Sequence, residues 1–524
     1  MRPSTTRPLT AQWWPNSCQP RALADPARQS DPAAPRDRTY APGADRAAAS
    51  TVSGVALTRL RMDELVNAWV ADRFTPFQIA LLGVFDAGPF RLPDGTLDVP
   101  RIRRELVARA HRVEAFRRRV IWTRFGEGMP VWAPDPSFDP DRHIENATLP
   151  AGAELTAWAA DRIVRPLAMD RPLWRVEVVD GLPGERFALI VVVHHVVADG
   201  ITGVALAGAL LDPAPDVTPA PAAPHPTPSL PTHRDIYRDR LRGLVAGLAR
   251  IRAWRPAHRR TGHRLRATRT RLRAIRTRLR EVATLLGPRT SETSLPRVVG
   301  PTRRLAVVRW PLEEVRGSGH ALGATVNDLL LAAVAGGLRA LLLARGDDVE
   351  RLTLRTSVPA ATREGRQASG ILLVDLPVQE SDPLRRLASV HRATAEQKRS
   401  LSAGAPDITD VLHLPLPLAR LGMRWLRRFG GTRVNLFVTD VPGPAEPLWL
   451  AGARLLEALP VAPLVQRVGL CVAALSYAGE LAVSVHADGS VADLERLAEG
   501  MAADVAAFGK AAAALGPASR ASLR

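Results

Sequence analysis

The stretch from Phe187 to Gly200, FALIVVVHHVVADG, most constrains what this chain can fold into. It begins with an unbroken apolar run, which predicts a strand buried on both faces of a sheet. Asp199 and Gly200 precede ITGVALAGALL, a pattern that predicts a helix with Asp199 as its N-cap. Because side chains alternate faces along a strand, His194 and His195 should point in opposite directions. One histidine can then face a reaction channel while the other is held in the packing behind it.

A histidine at such a strand end can accept a proton at neutral pH, because its unperturbed pKa is about 6.5. The alternative is that a histidine in this place is a satisfied core or cap residue. Asp199 lies at the helix start, so we expect it to form an internal ion pair with an arginine and hold the turn. No Ser or Cys nucleophile motif stands nearby. The sequence therefore favours direct proton abstraction over a covalent intermediate.

Composition restricts the partners and the cellular compartment. The 524 residues are 46% hydrophobic, which is enough for two domains with cores of their own. The net charge of +19 predicts an anionic partner, which could be a phospholipid surface, a nucleotide-bearing substrate or nucleic acid. The two cysteines, Cys18 and Cys471, lie far apart, so we expect neither a disulfide nor a metal site. Since signal-peptide and membrane-spanning patterns are also missing, we expect a cytoplasmic protein.

Patterning divides the chain into five regions. Residues 1–54 are rich in Pro, Ala and Arg without periodicity, which predicts a disordered tail. Residues 55–211 and 296–508 each alternate helix and strand patterns, which predicts two related α/β domains of similar size. Residues 212–295 begin with a Pro/Ala-rich linker and continue as basic amphipathic helices. Residues 509–524 are expected to be a flexible tail.

The basic region at residues 234–286 contains two helical patterns, each with one apolar stripe in an arginine-rich surface. The stripe of the first pattern consists of Tyr237, Leu241, Leu244, Leu248 and Ile251. These stripes can pack on the second domain, or enter a lipid surface while the arginines contact phosphates, and the two interpretations can both hold. A nucleic-acid partner is disfavoured, because neither interleaved aromatic residues nor a known binding motif accompanies the charge.

HHVVADG resembles the HHxxxDG signature of the CoA-dependent acyltransferase superfamily, which also contains the condensation domains of peptide synthetases. Over about residues 55–508 the chain is similar to the bacterial wax ester synthase/diacylglycerol acyltransferase family. The likeness also rests on five segments in order: Pro172-Leu173-Trp174, Thr325-Val326-Asn327-Asp328, Ser357-Val358-Pro359, Val441-Pro442-Gly443-Pro444 and Ser476-Tyr477-Ala478-Gly479. The ordered set is far more specific than the histidine motif alone.

The resemblance implies an α/β fold of two chloramphenicol-acetyltransferase-like domains, with mixed sheets flanked by helices around a central channel. It implies that His195 is the general base, because His195 is the histidine of HxxxD. His194 would support the placement of His195, and Asp199 would be structural. Gly200 would let the turn pack closely.

The resemblance also places Asn327 and Asp328 across the channel. The Asn327 amide or the Thr439 hydroxyl could donate to a tetrahedral oxyanion. The alternative for Asn327 is a buried polar residue that bonds the backbone at a helix N-terminus. Asp440, beside Thr439, belongs to the same candidate site.

As substrates, the resemblance implies acyl-CoA and a lipid alcohol, with no cofactor and no metal. The products would be triacylglycerol from diacylglycerol and/or wax esters from long-chain alcohols. Residues 234–286 would contact an anionic membrane or lipid-droplet surface, so the protein would be cytoplasmic and peripheral at the inner membrane face or at lipid droplets. The alternatives are another acceptor or a carrier-bound donor, as in condensation domains, or a non-catalytic lipid-binding relative.

Three positions depart from the family pattern. Thr439-Asp440 replaces the usual Ser-Asn, Ser369-Gly370 replaces Gly-Asn, and Cys471 replaces an Asn. Asp for Asn exchanges an amide donor for a carboxylate that only accepts hydrogen bonds. These changes leave the expected base intact, but they bear on acceptor choice and on full activity.

Overall fold

The computed structural model describes residues 51–52, 55–217, 229–253, 289–360, 370–402, 420, 424 and 433–515. Within these ranges the chain forms two mixed six-stranded sheets, a three-stranded sheet and a two-stranded sheet, with helices against the larger sheets. This confirms the predicted α/β class. The predicted tail up to residue 50, the second basic helix and Ser369 lie outside the described residues.

The first half contributes strands and helices in alternation. Its strands are β1 (Thr51–Val52), β2 (Val55–Ala56), β3 (Thr58–Arg59), β4 (Gln78–Asp86), β5 (Arg118–Ile121), β6 (Val131–Pro134), β7 (Ile144–Thr148), β8 (Trp174–Leu182) and β9 (Arg186–His194). Its helices are α1 (Met62–Val70), α2 (Val99–Ala110), α3 (Leu155–Ile163), α4 (Gly200–Gly208) and α5 (His233–Ala253).

The second half is built in the same way. Its strands are β10 (Arg303–Pro311), β11 (Leu354–Ala360), β12 (Gly370–Leu376), β13 (Leu436–Pro442), β14 (Trp449–Leu450), β15 (Ala453–Val461), β16 (Leu470–Tyr477) and β17 (Glu480–Asp488). Its helices are α6 (Leu312–Ala321), α7 (Val326–Ala344), α8 (Pro383–Ser402) and α9 (Leu494–Ala514).

Strand β9 is buried on both faces, as its apolar run predicts. The first large sheet has the order β14-β15-β4-β9-β8-β7, which places β9 near its centre. One face of β9 packs in a core cluster through Phe187, Leu189, Val191 and Val193. The other face packs in a second cluster through Ala188, Ile190 and Val192. The polar end of the strand is therefore held by cores on two sides.

The first sheet is completed by a strand from the second half of the chain. Strand β15 pairs antiparallel with β4, from Ala80 opposite Val461 to Phe85 opposite Leu455. Strand β14 continues the sheet beyond β15. The predicted boundaries of 55–211 and 296–508 thus follow the sequence halves but not the sheets, because the second segment supplies two strands to the first sheet.

Asp212 anchors this crossing segment. It was predicted to start the linker, but it is buried, and its main chain exchanges hydrogen bonds with Trp449 at 2.7 and 2.9 Å. Its carboxylate accepts from Arg109 of α2 at 2.5 Å and from the Ala451 amide at 3.2 Å. The linker therefore begins after a residue whose buried ion pair holds it to the first half and whose backbone and carboxylate hydrogen bonds hold it to the second.

The second large sheet, of order β10-β17-β16-β13-β11-β12, packs on helix α7. By length and composition α7 is apolar enough to cross a membrane, but most of it is buried inside the protein. A helix in the core of a protein can be equally long and apolar. Burial on most sides accounts for the nearly all-round apolar sequence of α7. Close packing needs a glycine here, because a Cβ on Gly337 would lie 2.4 Å from the Leu497 carbonyl oxygen of α9.

Three boundaries differ from the sequence predictions. The helical spacing of LTRLRMDELVNAWVADR predicts a helix from Leu57, but the helix begins only at Met62, because Thr58–Arg59 pair with β6 instead. Thr51–Val52 form strand β1 within the predicted tail. Helix α9 continues to Ala514, beyond the predicted end at residue 508, because its apolar side still meets the core there.

We expect Gly337→Ala to lower the free energy of unfolding by about 2–3 kcal/mol, because the new methyl group meets backbone that cannot move aside. Urea unfolding followed by tryptophan fluorescence measures the change. Gly317→Ala is the matched control, since a Cβ there meets nothing within 4 Å. It should instead stabilise the exposed part of α6 by about 0.5–1 kcal/mol. Equal effects of the two substitutions would contradict the packing described for α7.

Candidate active site between the two sheets

His194, the last residue of β9, has a structural place. Its ring is buried, and its Nδ1 accepts a hydrogen bond from the Val196 amide at 3.1 Å. Its own amide donates to the Leu173 carbonyl oxygen at 3.0 Å. Burial, and secondarily the charge of His195, lowers the pKa of His194 to about 4. His194 is therefore neutral at physiological pH and holds the turn that follows it.

His195 lies in that turn and is partly exposed. Its amide donates to the Phe77 carbonyl oxygen at 3.1 Å. The side-chain nitrogen of Asn67, on α1, lies 3.2 Å from Nδ1 of His195 and 3.0 Å from its carbonyl oxygen. Burial lowers the pKa of His195, although its own carbonyl oxygen and the Asp199 charge oppose the shift. The ring is thus in its neutral, proton-accepting form at neutral pH.

Phe77 fixes the plane of the His195 ring. The two rings stack with centroids 4.8 Å apart and planes inclined by 19°. Phe77 has φ of 53°, a left-handed backbone conformation that costs a non-glycine residue about 1–3 kcal/mol. The next residue, Gln78, holds the segment by donating to the Ile163 and Arg165 carbonyl oxygens at 3.0 Å. A strained backbone is thus held in place beside the candidate base.

The tautomer of His195 decides which of its ring nitrogens can accept a proton, and the Asn67 contact alone does not fix that tautomer. A hydrogen on Nδ1, facing the carbonyl oxygen of His195 itself, leaves Nε2 free to accept a proton. A hydrogen on Nε2 instead lets Nδ1 accept from Asn67. Sequence reasoning missed both Asn67 and Phe77. The available signals were a lone amide within an amphipathic helix and an aromatic residue directly after Pro76.

Asp199 and Gly200 build the start of α4. Asp199 Oδ1 accepts from the Thr202 amide at 2.8 Å, which confirms the predicted N-cap. A Cβ on Gly200 would lie 3.1 Å from Val441 of β13, so the helix start packs closely on the second sheet. The pKa of Arg61 is raised, chiefly by its hydrogen bond to Asp63 and in small part by the charge of Asp199. An ion pair of Asp199 with an arginine stays a prediction.

The Pro172-Leu173-Trp174 segment supports the strand end from β8. Trp174 stacks between Phe116 and His143, at centroid distances of 4.6 and 4.5 Å. Its indole nitrogen donates to the Phe116 carbonyl oxygen at 2.9 Å. Since Leu173 accepts the His194 amide, this segment positions the histidine turn through the backbone.

An apolar cavity of about 50 Å³ lies between the two sheets, beside the start of α4. Its walls come from both halves and include Ile79, Val193, Gly200, Gly203, Thr439, Val461 and Ala473. Among the described wall residues Thr439 supplies the one hydroxyl. A second apolar cavity shares Leu81, Val191 and Ala207 with the first. Together they form an apolar path along β4 and β9 beneath α4.

Asp440 points to the opposite face of β13 from Thr439. Burial raises the pKa of Asp440 to about 6. Because this carboxyl group titrates near neutral pH, it is partly protonated under conditions where an ordinary aspartate is fully charged. The replacement of the family's Asn therefore introduces a pH-dependent charge next to Thr439.

Asp328 ties helices α7 and α8 together. Its carboxylate accepts from the Thr325 amide at 3.0 Å, from His391 Nδ1 at 2.9 Å and from the Thr394 hydroxyl at 2.7 Å. Burial opposes ionisation, but the hydrogen bonds from His391 and Thr394 lower the pKa of Asp328 overall. The cavity walls do not include Asn327 or Asp328, although both are described. The position of Asn327 across a channel stays a prediction.

The other departures from the family pattern fall in the second half. Gly370 begins β12, whereas its neighbour Ser369 lies outside the described residues. Cys471 is buried, and burial raises the pKa of its thiol to about 12, so it stays protonated. In the part of the chain that the structure describes, no three His, Cys, Asp or Glu side chains are grouped to hold a metal ion.

Comparison with known protein families shows the family to which this chain belongs. Residues 62–330 match the wax ester synthase/diacylglycerol acyltransferase catalytic domain, and residues 368–507 match the C-terminal domain of the same family. The chain belongs to the wax ester synthase/diacylglycerol acyltransferase family. The resemblance stated from the five ordered segments is thereby confirmed.

Curated relatives from Mycobacterium tuberculosis agree with this assignment. A provisionally named diacylglycerol O-acyltransferase of strain CDC 1551 / Oshkosh is 32% identical over 76% of this chain and 85% of its own length. The probable diacylglycerol O-acyltransferase tgs1 of strain ATCC 25618 / H37Rv is 31% identical over 72% of this chain and 83% of its own length.

A solved structure supports the fold. The wax ester synthase/diacylglycerol acyltransferase from Marinobacter aquaeolei VT8 superimposes with a TM-score of 0.63 at 23% identity, over 87% of this chain and 100% of that chain. The expected two-domain architecture of this family is thereby confirmed. The roles of individual residues do not follow from this likeness.

We expect Asn67→Asp to shift the acidic limb of the pH profile of kcat/KM to higher pH. A carboxylate can only accept from Nδ1–H, and its charge raises the pKa of His195. A base with a raised pKa becomes protonated, and so inactive, at a higher pH as the solution is acidified. Asn67→Leu should lower kcat by about tenfold or more without that upward shift.

Asn146→Asp, the same change at an exposed position of β7, is the matched control for this experiment. It should leave both kcat and the pH profile unchanged. An acidic limb that stays at its wild-type position in Asn67→Asp would show that Asn67 does not act on the His195 ring.

We expect Asp440→Asn to stabilise the fold at high pH by on the order of 1–2 kcal/mol. Because the folded-state pKa of about 6 exceeds the ordinary value of 3.8, ionisation of Asp440 favours the unfolded chain. The gain should be full above about pH 6, shrink on acidification and vanish below about pH 4. Urea unfolding across this pH range measures it, with exposed Asp170→Asn as the control. A gain in the free energy of unfolding that does not depend on pH would contradict the raised pKa of Asp440.

Proposed function

We propose that the protein is an acyl-CoA-dependent O-acyltransferase with His195 as its general base. It would form triacylglycerol from diacylglycerol and/or wax esters from long-chain alcohols. Family membership supports acyl transfer, and the mycobacterial relatives are named for diacylglycerol as acceptor. The observation that carries the assignment of the base is the neutral ring of His195, held between Phe77 and Asn67 at the end of β9.

The proposed reaction is a direct transfer. Nε2 of His195 takes the proton of the acceptor hydroxyl, and the oxygen attacks the thioester carbonyl carbon. A tetrahedral oxyanion forms and collapses as the carbon–sulfur bond breaks. The histidinium returns its proton to the leaving thiolate, so the products are an ester and CoA. This route needs no cofactor or metal, and the Thr439 hydroxyl or the Asn327 amide would donate to the oxyanion.

The apolar cavities support a hydrocarbon-bearing substrate. Their walls are aliphatic along β4, β9 and α4, so burial of methylene groups there would be favourable by about 0.8 kcal/mol each. Gly200 and Gly203 keep the start of α4 close to both sheets, since a Cβ would lie 3.1 Å from Val441 at Gly200 and would overlap Ile79 at Gly203. Such a lining suits a fatty acyl or alkyl chain better than a polar acceptor.

A lipid acceptor would have to be taken from a lipid surface. We therefore propose that the protein is peripheral, on the cytoplasmic face of the inner membrane or on lipid droplets. The net charge of +19 and the arginine-rich region at residues 234–286 support attraction to anionic phospholipid.

We expect His195→Ala to lower acyl transfer by about 10²–10⁴-fold, because the proton acceptor is lost. Purified protein is incubated with labelled palmitoyl-CoA and either hexadecanol or diacylglycerol, and ester is resolved by thin-layer chromatography. Released CoA thiol is measured in parallel. His320→Ala, an exposed histidine at the end of α6, is the matched control and should keep full activity.

The outcomes separate the candidate functions. Full ester formation by His195→Ala would refute the role of the base. Release of CoA by the wild type without either ester would point to another acceptor. Neither ester nor CoA release by the wild type would favour a non-catalytic lipid-binding role.

A further inference from the structure

The described part of the apolar stripe of helix α5 faces solvent. Its residues Tyr237, Leu241 and Leu244 are 47%, 43% and 51% exposed, and the neighbouring Val245 is 65% exposed. Of the two alternatives given by the sequence, packing of this stripe on the second domain is therefore wrong for the described part of the helix. The helix is held instead by the opposite side, where Ile236 is fully buried against the first half.

Specific contacts fix the orientation of this helix. Arg59 of β3 forms an ion pair with Asp239 at 2.8 Å and donates to the Ile236 carbonyl oxygen at 3.2 Å. Arg240 donates to the Gly126 carbonyl oxygen, in the loop between β5 and β6, at 2.7 Å. The Arg59 contacts lie on the side away from the stripe, so they hold the stripe outward.

The β5–β6 loop extends the exposed apolar surface. Phe125 is fully exposed at the tip of this loop, and Trp122 is 38% exposed. The loop lies next to the stripe, since a Cβ on Gly126 would be 4.0 Å from the Tyr237 ring. Exposed apolar side chains that cluster in this way mark an interaction surface.

Positive charge surrounds this surface. Arg124 is exposed beside Phe125, and Arg234 and Arg238 are exposed on α5. Arg234 precedes Tyr237 by three positions, and Arg238 precedes Leu241 by three, so each arginine adjoins a stripe residue on the helix surface. An apolar stripe bordered by arginines suits the boundary between acyl chains and phosphate groups.

We propose that the α5 stripe and Phe125 together dock the protein on an anionic phospholipid bilayer. The apolar side chains would enter the acyl boundary, and Arg124, Arg234 and Arg238 would contact lipid phosphates. The proposal rests on the proposed function only in that the bilayer would hold the acceptor; the docking itself needs no catalysis.

Co-sedimentation of the full chain with vesicles tests the proposal. Vesicles of phosphatidylcholine with phosphatidylglycerol should bind the wild type, and binding should fall with rising salt. Vesicles of phosphatidylcholine alone should bind it weakly. Leu244→Ser and Phe125→Ser should each weaken binding by roughly tenfold or more, because each removes a large apolar side chain from the lipid contact.

Leu343→Ser is the matched control, since Leu343 of α7 is 50% exposed against 51% for Leu244. It should leave vesicle binding unchanged. Equal binding by wild type, Leu244→Ser and Phe125→Ser would overturn the proposal. A Leu244→Ser variant that binds vesicles normally but melts at a lower temperature would also overturn the proposal. That result would indicate that another segment of this chain, residues 254–286, covers the stripe. Loss of a dimer in that variant, with unchanged vesicle binding, would assign the surface to a second copy.

Ester formation measured in detergent separates this proposal from the proposed function. Leu244→Ser and Phe125→Ser should keep wild-type activity on detergent-dispersed substrate while they lose activity on vesicle-borne diacylglycerol. A wild type that binds vesicles but makes no ester in either medium would refute the proposed function and leave the docking surface intact.

Discussion

The backbone pairing of β4 with two partners is the constraint on which the rest of this structure depends. On one side β4 pairs with β9, which carries the histidines, and on the other it pairs with β15 from the far end of the chain. The residue just before β4, Phe77, supplies both the carbonyl oxygen that accepts the His195 amide and the ring that stacks on its imidazole. Because the same strand joins the two halves and contacts His195, the cavity and the histidine turn depend on one framework.

The charges around His195 are arranged to keep it neutral. Its immediate neighbours are an aromatic ring and an amide, whereas the carboxylate of Asp199 is used on the Thr202 amide. A directly paired carboxylate would strengthen the base but would also raise its pKa toward neutral pH. The Asn67 amide can orient the His195 ring without placing a negative charge beside it. Asp440 is half-buried beside Thr439, and burial raises its pKa to about 6.

Local patterns in the sequence predicted local structure well. The buried strand β9 was predicted from its apolar run, and the start of α4 was predicted from its capping residue, Asp199. The ordered motifs identified the family. Contacts between distant segments could not be predicted in this way. Asn67 lies 128 positions from His195. No pattern in the sequence predicts that β15 pairs with β4 of the first sheet. The stripe on α5 shows the same limit, because helical spacing predicts an apolar face but not what covers it. Asp328 was predicted at the channel, and its hydrogen-bond partners His391 and Thr394 lie on helix α8.

The crossing of β15 also governs when the protein can become active during its synthesis. Residues 453–461 leave the ribosome long after β4 and β9, so until then the sheet that contains β9 has an open edge at β4. Contacts this distant in sequence form slowly, and exposed strand edges invite aggregation. A nascent chain truncated before β15 would hold the histidines but neither the closed sheet nor the cavity. The candidate site is therefore complete only after β15 has been made and paired with β4.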